Sequence, residues 1–342
     1  MKNTIKDLIE ISQYAGNRVD YTQGGGGNTS VKGEGGVMLI KASGFRLTDI
    51  AETTGFVAVD GQKIRDYYSS VDLSVQKDYE KESAEVSKGS IVALEGIQTL
   101  RPSVEVGFHA ILKKYVIHTH SVYANLLTCA IKGEEIAKEV FKDADFGYVF
   151  LPYIDPGFTL TLKMSDAIEE FKKANGKAPE VIFMKNHGLV VNADSVMRVK
   201  ALHTDVNERI RAYFKLEDNF RAVNLVQEDA KFVSKTPVIK DFIAERGLDK
   251  ALLDKYPLYP DQLVYLNNIL AHAPEKMEVG NGTVTYNTEK KEAQTLEETL
   301  AAYVFVIGTL TKSGLEISTM NEKDVNFINN WEAEKYRRSV AK

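Results

Sequence analysis

The sequence predicts a layered α/β domain followed by a small α+β extension. Over the first two thirds of the 342 residues, short apolar strands alternate with helical patterns, which is typical of a sheet covered by helices. Beyond about residue 225 the chain becomes charged and is interrupted by Pro237, Pro257 and Pro260. We therefore expect an α/β domain over residues 1–225, a linker over 226–254 and an α+β extension over 255–342.

Hydrophobic periodicity places the elements in order. Apolar residues at helical spacing predict a helix over Ile5–Val19, and Pro102-Ser103 is a helix-start signal. The polar, charge-rich span Val71–Gly96 shows only a weak helical pattern, and we expect it to be a flexible connecting segment. The predicted strands are Asn28–Lys32, Val37–Lys41, Gly55–Asp60, Tyr115–His120, Val181–Met184, Leu189–Val191 and Gln262–Leu266. Further predicted elements are helices over Val122–Ile131, Met197–Asn224, Leu296–Leu310 and Glu322–Arg338, and a hairpin around Asn281-Gly282.

Composition and charge exclude several classes of protein. With 43 basic and 48 acidic side chains the net charge is −5, so nucleic acid and anionic membranes are not expected partners. Apolar runs are shorter than the roughly 20 residues of a membrane helix, and Lys6, Asp7 and Glu10 interrupt the apolar core that a signal peptide needs. A single cysteine fits a reducing compartment and excludes a zinc-finger ligand set. We expect a cytoplasmic protein whose metal chemistry, if any, uses histidine and carboxylate.

His118-Thr119-His120 is the first candidate for such chemistry. Alternate residues of a strand share a face, so both imidazoles project from one side at the end of the apolar run Tyr115–Ile117. Catalytic zinc takes three protein ligands, and an H-x-H pair alone is equally compatible with a structural role. His187 lies in a tight turn directly after the strand Val181–Met184. Alone it is an ordinary turn histidine, but with the other two it favours a three-histidine site.

Glu105 is the candidate general acid or base. It is expected in the first turn of the helix opened by Pro102-Ser103, where the helix dipole favours a carboxylate even without a catalytic role. Beside a metal, the same group could move protons to and from a substrate. His109, four residues later, could orient Glu105 or pack in the core, and His203 and His272 are expected to be structural or solvated.

The glycine run Gly24–Gly27 leads into a strand through Asn28. It lacks the Gly-Lys-Ser/Thr of a P-loop and the glycine spacing of a dinucleotide-binding loop. Its backbone N–H groups, with the side chains of Asn28 and Thr29 or Ser30, could cradle an anion, and Ala42-Ser43-Gly44 offers a second small polar turn. Each segment is by itself also compatible with an ordinary turn.

Taken in order, these motifs resemble the class II aldolase/adducin family over roughly residues 5–225. The matching segments are Gly27-Asn28-x-Ser30, Ser43-Gly44, Arg101-Pro102-Ser103-Val104-Glu105, His118-Thr119-His120-Ser121, Pro152-Tyr153-x-x-Pro156-Gly157 and Asn186-His187-Gly188. Each segment is weak evidence alone, whereas the ordered set is highly specific.

The resemblance implies a fold, a cofactor and a site. The implied fold is a three-layer α/β/α sandwich on a mixed, largely antiparallel sheet, usually assembled as a C4 homotetramer with active sites between subunits. One Zn²⁺ per subunit, or another divalent metal, would bind to His118, His120 and His187. Glu105 would be the catalytic acid/base and a metal ligand in the resting enzyme. The residues implied in binding a substrate phosphate are Asn28, Ser43, Gly44 and Ser103.

Some segments depart from the common family pattern. Many relatives have Ser-Ser-Glu where this chain has Ser103-Val104-Glu105, and the span from Glu105 to His118 is shorter than in L-fuculose-1-phosphate aldolases. The glycine run Gly24–Gly27, the Ser103-Val104-Glu105 motif and two C-terminal segments resemble longer members, including the aldolase half of bifunctional L-rhamnulose-1-phosphate aldolase/dehydrogenases. No dehydrogenase half is recognised in this sequence. The two C-terminal segments are Tyr259-Pro260-Asp261-Gln262 and Asn330-Trp331-Glu332-x-Glu334-x-Tyr336-Arg337.

The resulting hypothesis is a zinc-dependent lyase that cleaves a ketose 1-phosphate of the deoxysugar type to dihydroxyacetone phosphate and an aldehyde. Zinc would stabilise the enediolate formed on cleavage, and Glu105 would return a proton to it. The alternatives are a sister reaction at the same metal (4-epimerisation, dehydration or decarboxylation) and a non-catalytic, adducin-like binding domain. Because the net charge is −5, an anionic sugar phosphate must be attracted by local groups.

Overall fold

A seven-stranded sheet forms the centre of the first domain. The structure, a computed structural model, describes residues 1–216, 220, 222–280 and 282–330. The strands of this sheet are β1 (Asn28–Lys32), β2 (Val37–Lys41), β3 (Phe56–Asp60), β4 (Tyr115–Thr119), β5 (Tyr148–Leu151), β6 (Val181–Met184) and β7 (Gly188–Ala193). Their order is β3-β2-β1-β4-β7-β6-β5, and β5 with β6 is the parallel pair in an otherwise antiparallel sheet. The expected mixed, largely antiparallel sheet is confirmed.

Helices cover both faces of this sheet. They are α1 (Lys2–Gly16), α2 (Gly61–Ser70), α3 (Tyr79–Gly89), α4 (Val106–Ile111), α5 (Val122–Thr128), α6 (Gly133–Val140), α7 (Phe158–Asn175) and α8 (Val196–Tyr213). Neighbouring residues of β4 point to opposite sides, as a strand requires. Val116 packs in a cluster with Phe108 of α4, whereas Ile117 packs in another with Leu8 of α1 and Val206 of α8. The domain is therefore a three-layer α/β/α sandwich.

Two predictions for the first domain need correction. The span expected to be a flexible connecting segment contains α3, whose N-terminus is capped by the Asp78 side chain accepting from the Lys81 N–H. Glu80 of this helix in turn accepts from the backbone N–H of Phe158 at the start of α7, so α3 is fixed to the domain. The helix expected to continue to residue 224 ends at Tyr213, and Lys215 follows with a positive φ of 52°.

The extension contains a second sheet and five helices among its described residues. Its strands are β8 (Leu225–Glu228), β9 (Lys231–Ser234), β10 (Met277–Gly280) and β11 (Thr283–Tyr286), in the order β10-β11-β9-β8. Its helices are α9 (Pro237–Arg246), α10 (Lys250–Lys255), α11 (Asn268–His272), α12 (Lys290–Lys312) and α13 (Glu322–Asn330), and a π-helix, Gln262–Asn267, precedes α11.

The extension differs from expectation in two places. Residues 226–254, expected to be a linker, contain most of β8, all of β9 and α9, and most of α10. Pro237 does not interrupt α9, because it occupies the start of the helix, where its missing N–H costs nothing. The predicted strand Gln262–Leu266 is wrong: the segment is the π-helix, and its first five side chains are all buried, so no alternation could distinguish strand from helix. The hairpin of β10 and β11 is confirmed, although Asn281 itself lies outside the described residues.

Helix α12 attaches the extension to the first domain. It is buried on every side from Thr299 to Val306 and packs against α5, α9 and the π-helix. Leu300 belongs to the same apolar cluster as Leu126 of α5. In the described part of the chain, no helix combines the length and the apolar character needed to cross a bilayer. The predicted continuation of α13 to Arg338, like the motif from Trp331 onward, lies outside the described residues.

Candidate metal centre

Three buried histidines converge at one edge of the seven-stranded sheet. His118 lies near the end of β4, His120 follows that strand, and His187 lies in the turn between β6 and β7. Because β4 pairs with β7, with Thr119 opposite Leu189, the turn comes close to the end of β4. The ring centroids are 4.9, 5.0 and 5.3 Å apart, and one nitrogen of each ring lies within 4.8 Å of the others. The structure thus brings together the three histidines that the sequence singled out.

Hydrogen bonds to the far side of two rings orient their other nitrogens towards one point. His118 Nδ1 lies 3.0 Å from the Leu189 carbonyl oxygen, and His120 Nδ1 is hydrogen-bonded to the Asp261 carboxylate. Both partners accept, so in the neutral rings Nδ1 carries the proton and Nε2 carries the lone pair. The two Nε2 atoms are 3.2 Å apart. Two facing lone pairs repel each other unless a cation lies between them, so this donor set fits a metal ion.

Glu105 faces the histidines from the start of α4. Its Oε2 lies 3.5 Å from His118 Nε2, and its Oε1 lies 3.4 Å from His187 Nε2. Asn28 Nδ2 donates to Oε2 at 2.6 Å, whereas Oε1 is buried and accepts no hydrogen bond from any described residue. Glu105 occupies the N-cap position rather than the first turn that the sequence predicted, and its side chain does not cap the helix. One carboxylate oxygen is therefore available to a metal or a substrate.

The electrostatics of the cluster favour neutral imidazoles beside an ionised carboxylate. Burial lowers the pKa of His118 to about 4 and that of His187 to about 3. Burial opposes ionisation of Glu105, but the facing His118 and His187 and the hydrogen bond from Asn28 outweigh it and lower the pKa to about 2. Near neutral pH both groups are thus in the form that binds metal, because neutral imidazole and carboxylate are the ligating species.

His109 acts on Glu105 through Asn28 rather than by direct contact. Its Nδ1 lies 2.7 Å from Ser30 Oγ, and its Nε2 is hydrogen-bonded to Asn28 Oδ1. Because an amide oxygen only accepts, this bond directs the amide nitrogen of Asn28 towards Glu105. His203 is fully buried, 2.8 Å from Thr119 Oγ1, and His272 is exposed at the end of α11; neither joins the cluster.

A narrow cavity beside Glu105 brings together the four residues predicted to bind phosphate. Its lining includes Asn28, Ser43, Gly44, Ser103, Lys41, Val104 and Pro260. Lys41 is 3% exposed, and its Nζ donates to the carbonyl oxygens of Gly25 at 3.0 Å and Phe45 at 2.6 Å. Lys41 could not be assigned from sequence, because its strand is otherwise apolar and nothing in the local pattern indicates that Lys41 faces the site.

The glycine run has a role beyond the anion cradle considered from sequence. The Gly24 N–H donates to Glu298 Oε2 at 2.8 Å, and the Gly26 N–H donates to the Gln23 carbonyl oxygen at 2.9 Å. A Cβ on Gly26 would clash with Asp261 and His120. The run is therefore packed onto the back of the metal centre, where a side chain would not fit.

Asp261 is a second residue of this site, besides Lys41, that the sequence did not point to. It is 1% exposed and belongs to the Tyr-Pro-Asp-Gln segment of the extension. The segment stood out only by its resemblance to longer family members. No short-range pattern connects it with His120, because 141 residues separate the two.

Fold and site together define a class of protein: a three-layer domain whose sheet edge carries three histidines and a carboxylate able to hold a metal ion. Residues 6–214 match the family model for the class II aldolase and adducin N-terminal domain. The chain belongs to this family.

Several known proteins and solved structures are similar to this chain. The N-terminal class II aldolase domain of a conserved protein from Thermoplasma acidophilum is 25% identical, with a TM-score of 0.51, covering 62% of this chain and 94% of that one. An L-fuculose 1-phosphate aldolase is 21% identical, with a TM-score of 0.42, covering 62% of this chain and 85% of that one. The Bacillus subtilis (strain 168) protein called uncharacterized oxidoreductase YuxG is 25% identical over 79% of this chain. This chain spans 39% of the length of YuxG.

Proposed function

We propose that the protein is a zinc-dependent lyase that cleaves a ketose 1-phosphate to dihydroxyacetone phosphate and an aldehyde. A deoxysugar substrate such as L-rhamnulose or L-fuculose 1-phosphate is part of the proposal. The observation that carries it is the pair of His118 and His120 Nε2 atoms, 3.2 Å apart, next to the buried carboxylate of Glu105. Membership in the class II aldolase and adducin family supports the reaction class.

The residues present fit a single zinc ion. His118, His120 and His187 would hold it, with Glu105 as a further ligand in the absence of substrate. When bound, zinc supplies Lewis acidity, which lowers the cost of the negative charge that develops as the carbon–carbon bond breaks. The remaining chemistry falls to the side chains of this chain.

Glu105 would act as the general base and then as the general acid. Its depressed pKa keeps it ionised near neutral pH, the form that accepts a proton from the substrate, and Oε1 has no competing hydrogen bond among the described residues. Asn28 holds the other oxygen, so the carboxylate has one orientation. Glu105 can then deliver the proton to the substrate carbon that has lost its bond.

The cavity beside Glu105 suits a phosphate group. Ser43, Gly44 and Ser103 would offer hydroxyl and backbone donors there, and Lys41 adds a buried positive charge near the same turns. A local cation meets the requirement set by a net charge of −5. The side chain of Val104 lines the cavity without a hydroxyl donor, so we propose one phosphate contact fewer than a Ser-Ser-Glu relative would make.

A product screen tests the reaction. The metal-loaded protein is incubated with ketose 1-phosphates and free ketoses, with and without chelator, and dihydroxyacetone phosphate, epimer, dehydrated product and carbon dioxide are assayed in parallel. Chelator-sensitive release of dihydroxyacetone phosphate is the expected result. Epimer, dehydrated product or carbon dioxide in its place would identify a sister reaction, and a metal-free protein inert to every substrate would favour an adducin-like binding domain.

The proposal includes a homotetramer with active sites between subunits, as the family resemblance implies. Light scattering on the purified protein measures its mass in solution. A mass four times the 38.1 kDa of one chain is expected, and a monomeric mass would contradict this part of the proposal.

A further inference from the structure

We infer that the C-terminal extension completes the metal centre, and that Asp261 is the residue that positions His120 for metal binding. The inference rests on the proposed metal site and adds a part that lies outside the residues matched by the family model, which end at 214.

The first observation is the hydrogen bond between Asp261 and His120. Asp261 immediately precedes the π-helix, and its Oδ2 accepts from His120 Nδ1 inside the protein, where the aspartate is 1% and the histidine 4% exposed. A carboxylate on the far nitrogen of a ligating imidazole fixes the tautomer and ring orientation and makes the near nitrogen more basic. His118 has a neutral carbonyl oxygen in the same position, so His120 is the ligand with the charged support.

The second observation concerns the turn that carries His187. Asn186, directly before it, has a positive φ of 52°, a left-handed backbone conformation that Asn adopts more readily than most residues. Its Nδ2 donates to the carbonyl oxygens of Leu258 and Ser318 at 2.8 Å each, and its Oδ1 accepts from Ser318 Oγ at 3.1 Å. Two separate segments of the extension therefore hold this turn in place.

The third observation is the contact between α12 and the glycine run. Glu298 accepts from the Gly24 N–H and pairs with Arg46 at 2.9 Å, and it is 5% exposed. The run lies directly over the Asp261–His120 pair, since Gly26 has no room for a Cβ there. The extension thus makes contacts at three places, at His120, at the turn of His187 and at the glycine run that lies over His120.

The test measures zinc affinity in the full-length protein by competition with a chromophoric chelator. Asp261→Ala removes the acceptor, and we expect the zinc dissociation constant to rise about 10- to 100-fold, the usual effect of losing such a partner. Asp261→Asn keeps the shape and an oxygen acceptor but not the charge, so its affinity should lie between wild type and Asp261→Ala. Asp254→Asn, an exposed aspartate of the same extension, is the matched control and should bind zinc like wild type.

A second readout separates positioning from general loss of structure. Co²⁺ is substituted for zinc, and the visible absorption bands, which report ligand geometry, should shift in both Asp261 variants and not in Asp254→Asn. Circular dichroism checks that each variant is folded. If Asp261→Ala does not fold, the zinc affinity and cobalt spectrum of Asp261→Asn provide the test. Wild-type affinity and an unchanged cobalt spectrum in a folded Asp261 variant would overturn the inference.

His118→Ala, measured in the same assay, distinguishes the inference from the proposed function. Loss of zinc in His118→Ala with wild-type affinity in the Asp261 variants refutes only the role of Asp261. Wild-type affinity in His118→Ala refutes the metal site itself.

Discussion

Glu105 illustrates how single residues of this protein are tuned by their neighbours. His109 orients the amide of Asn28, and Asn28 in turn holds one oxygen of Glu105, so the second oxygen faces His187. The carboxylate is buried, yet its pKa is lowered because the surrounding donors and imidazoles outweigh burial. The chemistry proposed for the site depends on this one oriented group.

Replacement of Glu105 by Gln should separate proton transfer from metal binding. Three histidines remain, so zinc stays bound, whereas kcat for dihydroxyacetone phosphate release should fall about 100-fold or more because the amide cannot exchange the proton. Steady-state kinetics and metal analysis of the same preparation measure both. Glu95→Gln, an exposed position, is the control. Wild-type kcat in Glu105→Gln would remove Glu105 from the mechanism.

His203 should make folding sensitive to acid. Burial lowers its pKa to about 3, below the roughly 6.5 of an unfolded histidine. Between those values the unfolded state binds a proton that the folded state does not, so the free energy of unfolding falls as the pH drops below about 6.5. One such histidine contributes a slope of up to about 1.4 kcal/mol per pH unit.

The prediction is checked by urea unfolding of His203→Gln between pH 7 and 4 in zinc-free buffer. The variant should lose less stability per pH unit than wild type, and His272→Gln, an exposed position, should follow wild type. Equal slopes for His203→Gln and wild type would show that His203 does not contribute to the pH dependence of stability.

Side chains connect the structural elements around the site. These elements are the C-terminal end of β4, the β6–β7 turn, the glycine run and α12. Glu298 is the link from α12, because it joins the backbone of Gly24 to the guanidinium of Arg46. Removing the charge from a buried carboxylate with these partners leaves donors without an ionic acceptor.

Glu298→Gln should therefore lower the free energy of unfolding by about 2 kcal/mol, as measured by urea denaturation. Zinc affinity should fall modestly because the glycine run would loosen over the Asp261–His120 pair. Glu278→Gln, on the exposed part of β10, is the control and should leave stability and zinc affinity unchanged. Stability equal to wild type in Glu298→Gln would show that α12 does not hold the glycine run.

The sequence correctly predicted those elements whose local residue pattern, such as a glycine turn or strand alternation, is specific to one type of structure. The hairpin of β1 and β2 has the predicted bounds, and the strand period of two correctly placed His118 and His120 on one face. The π-helix had no such signal, since a short run of buried apolar residues is the same in a strand and a helix. Asp261 and Lys41 could not be assigned because their roles come from long-range packing, which one sequence does not encode locally.

At the scale of the whole molecule, the two parts of the chain share one hydrophobic core. A single cluster contains Leu8 and Ile117 of the first domain together with Leu300 and Tyr303 of α12. Backbone hydrogen bonds from Ile131 to Glu316 and from Ser318 to Cys129 add a short paired segment across the same boundary. The extension is therefore an integral part of the described structure.

Calorimetry should show one cooperative unfolding transition for both parts. Zinc binds only the folded centre, so saturating metal at about 1,000 times the dissociation constant should add about 4 kcal/mol of stability to that same transition. Two transitions, with zinc affecting one of them, would contradict a shared core.

His118, His120 and His187 are proposed to form one metal site, on which the proposed chemistry depends. Metal content per chain is measured by mass spectrometry after dialysis of zinc-loaded wild type, His187→Ala and His272→Ala, the last being a histidine outside the cluster. We expect one zinc per chain in wild type and His272→Ala, and substantial loss of zinc in His187→Ala. One zinc per chain in all three proteins would contradict the proposed metal site.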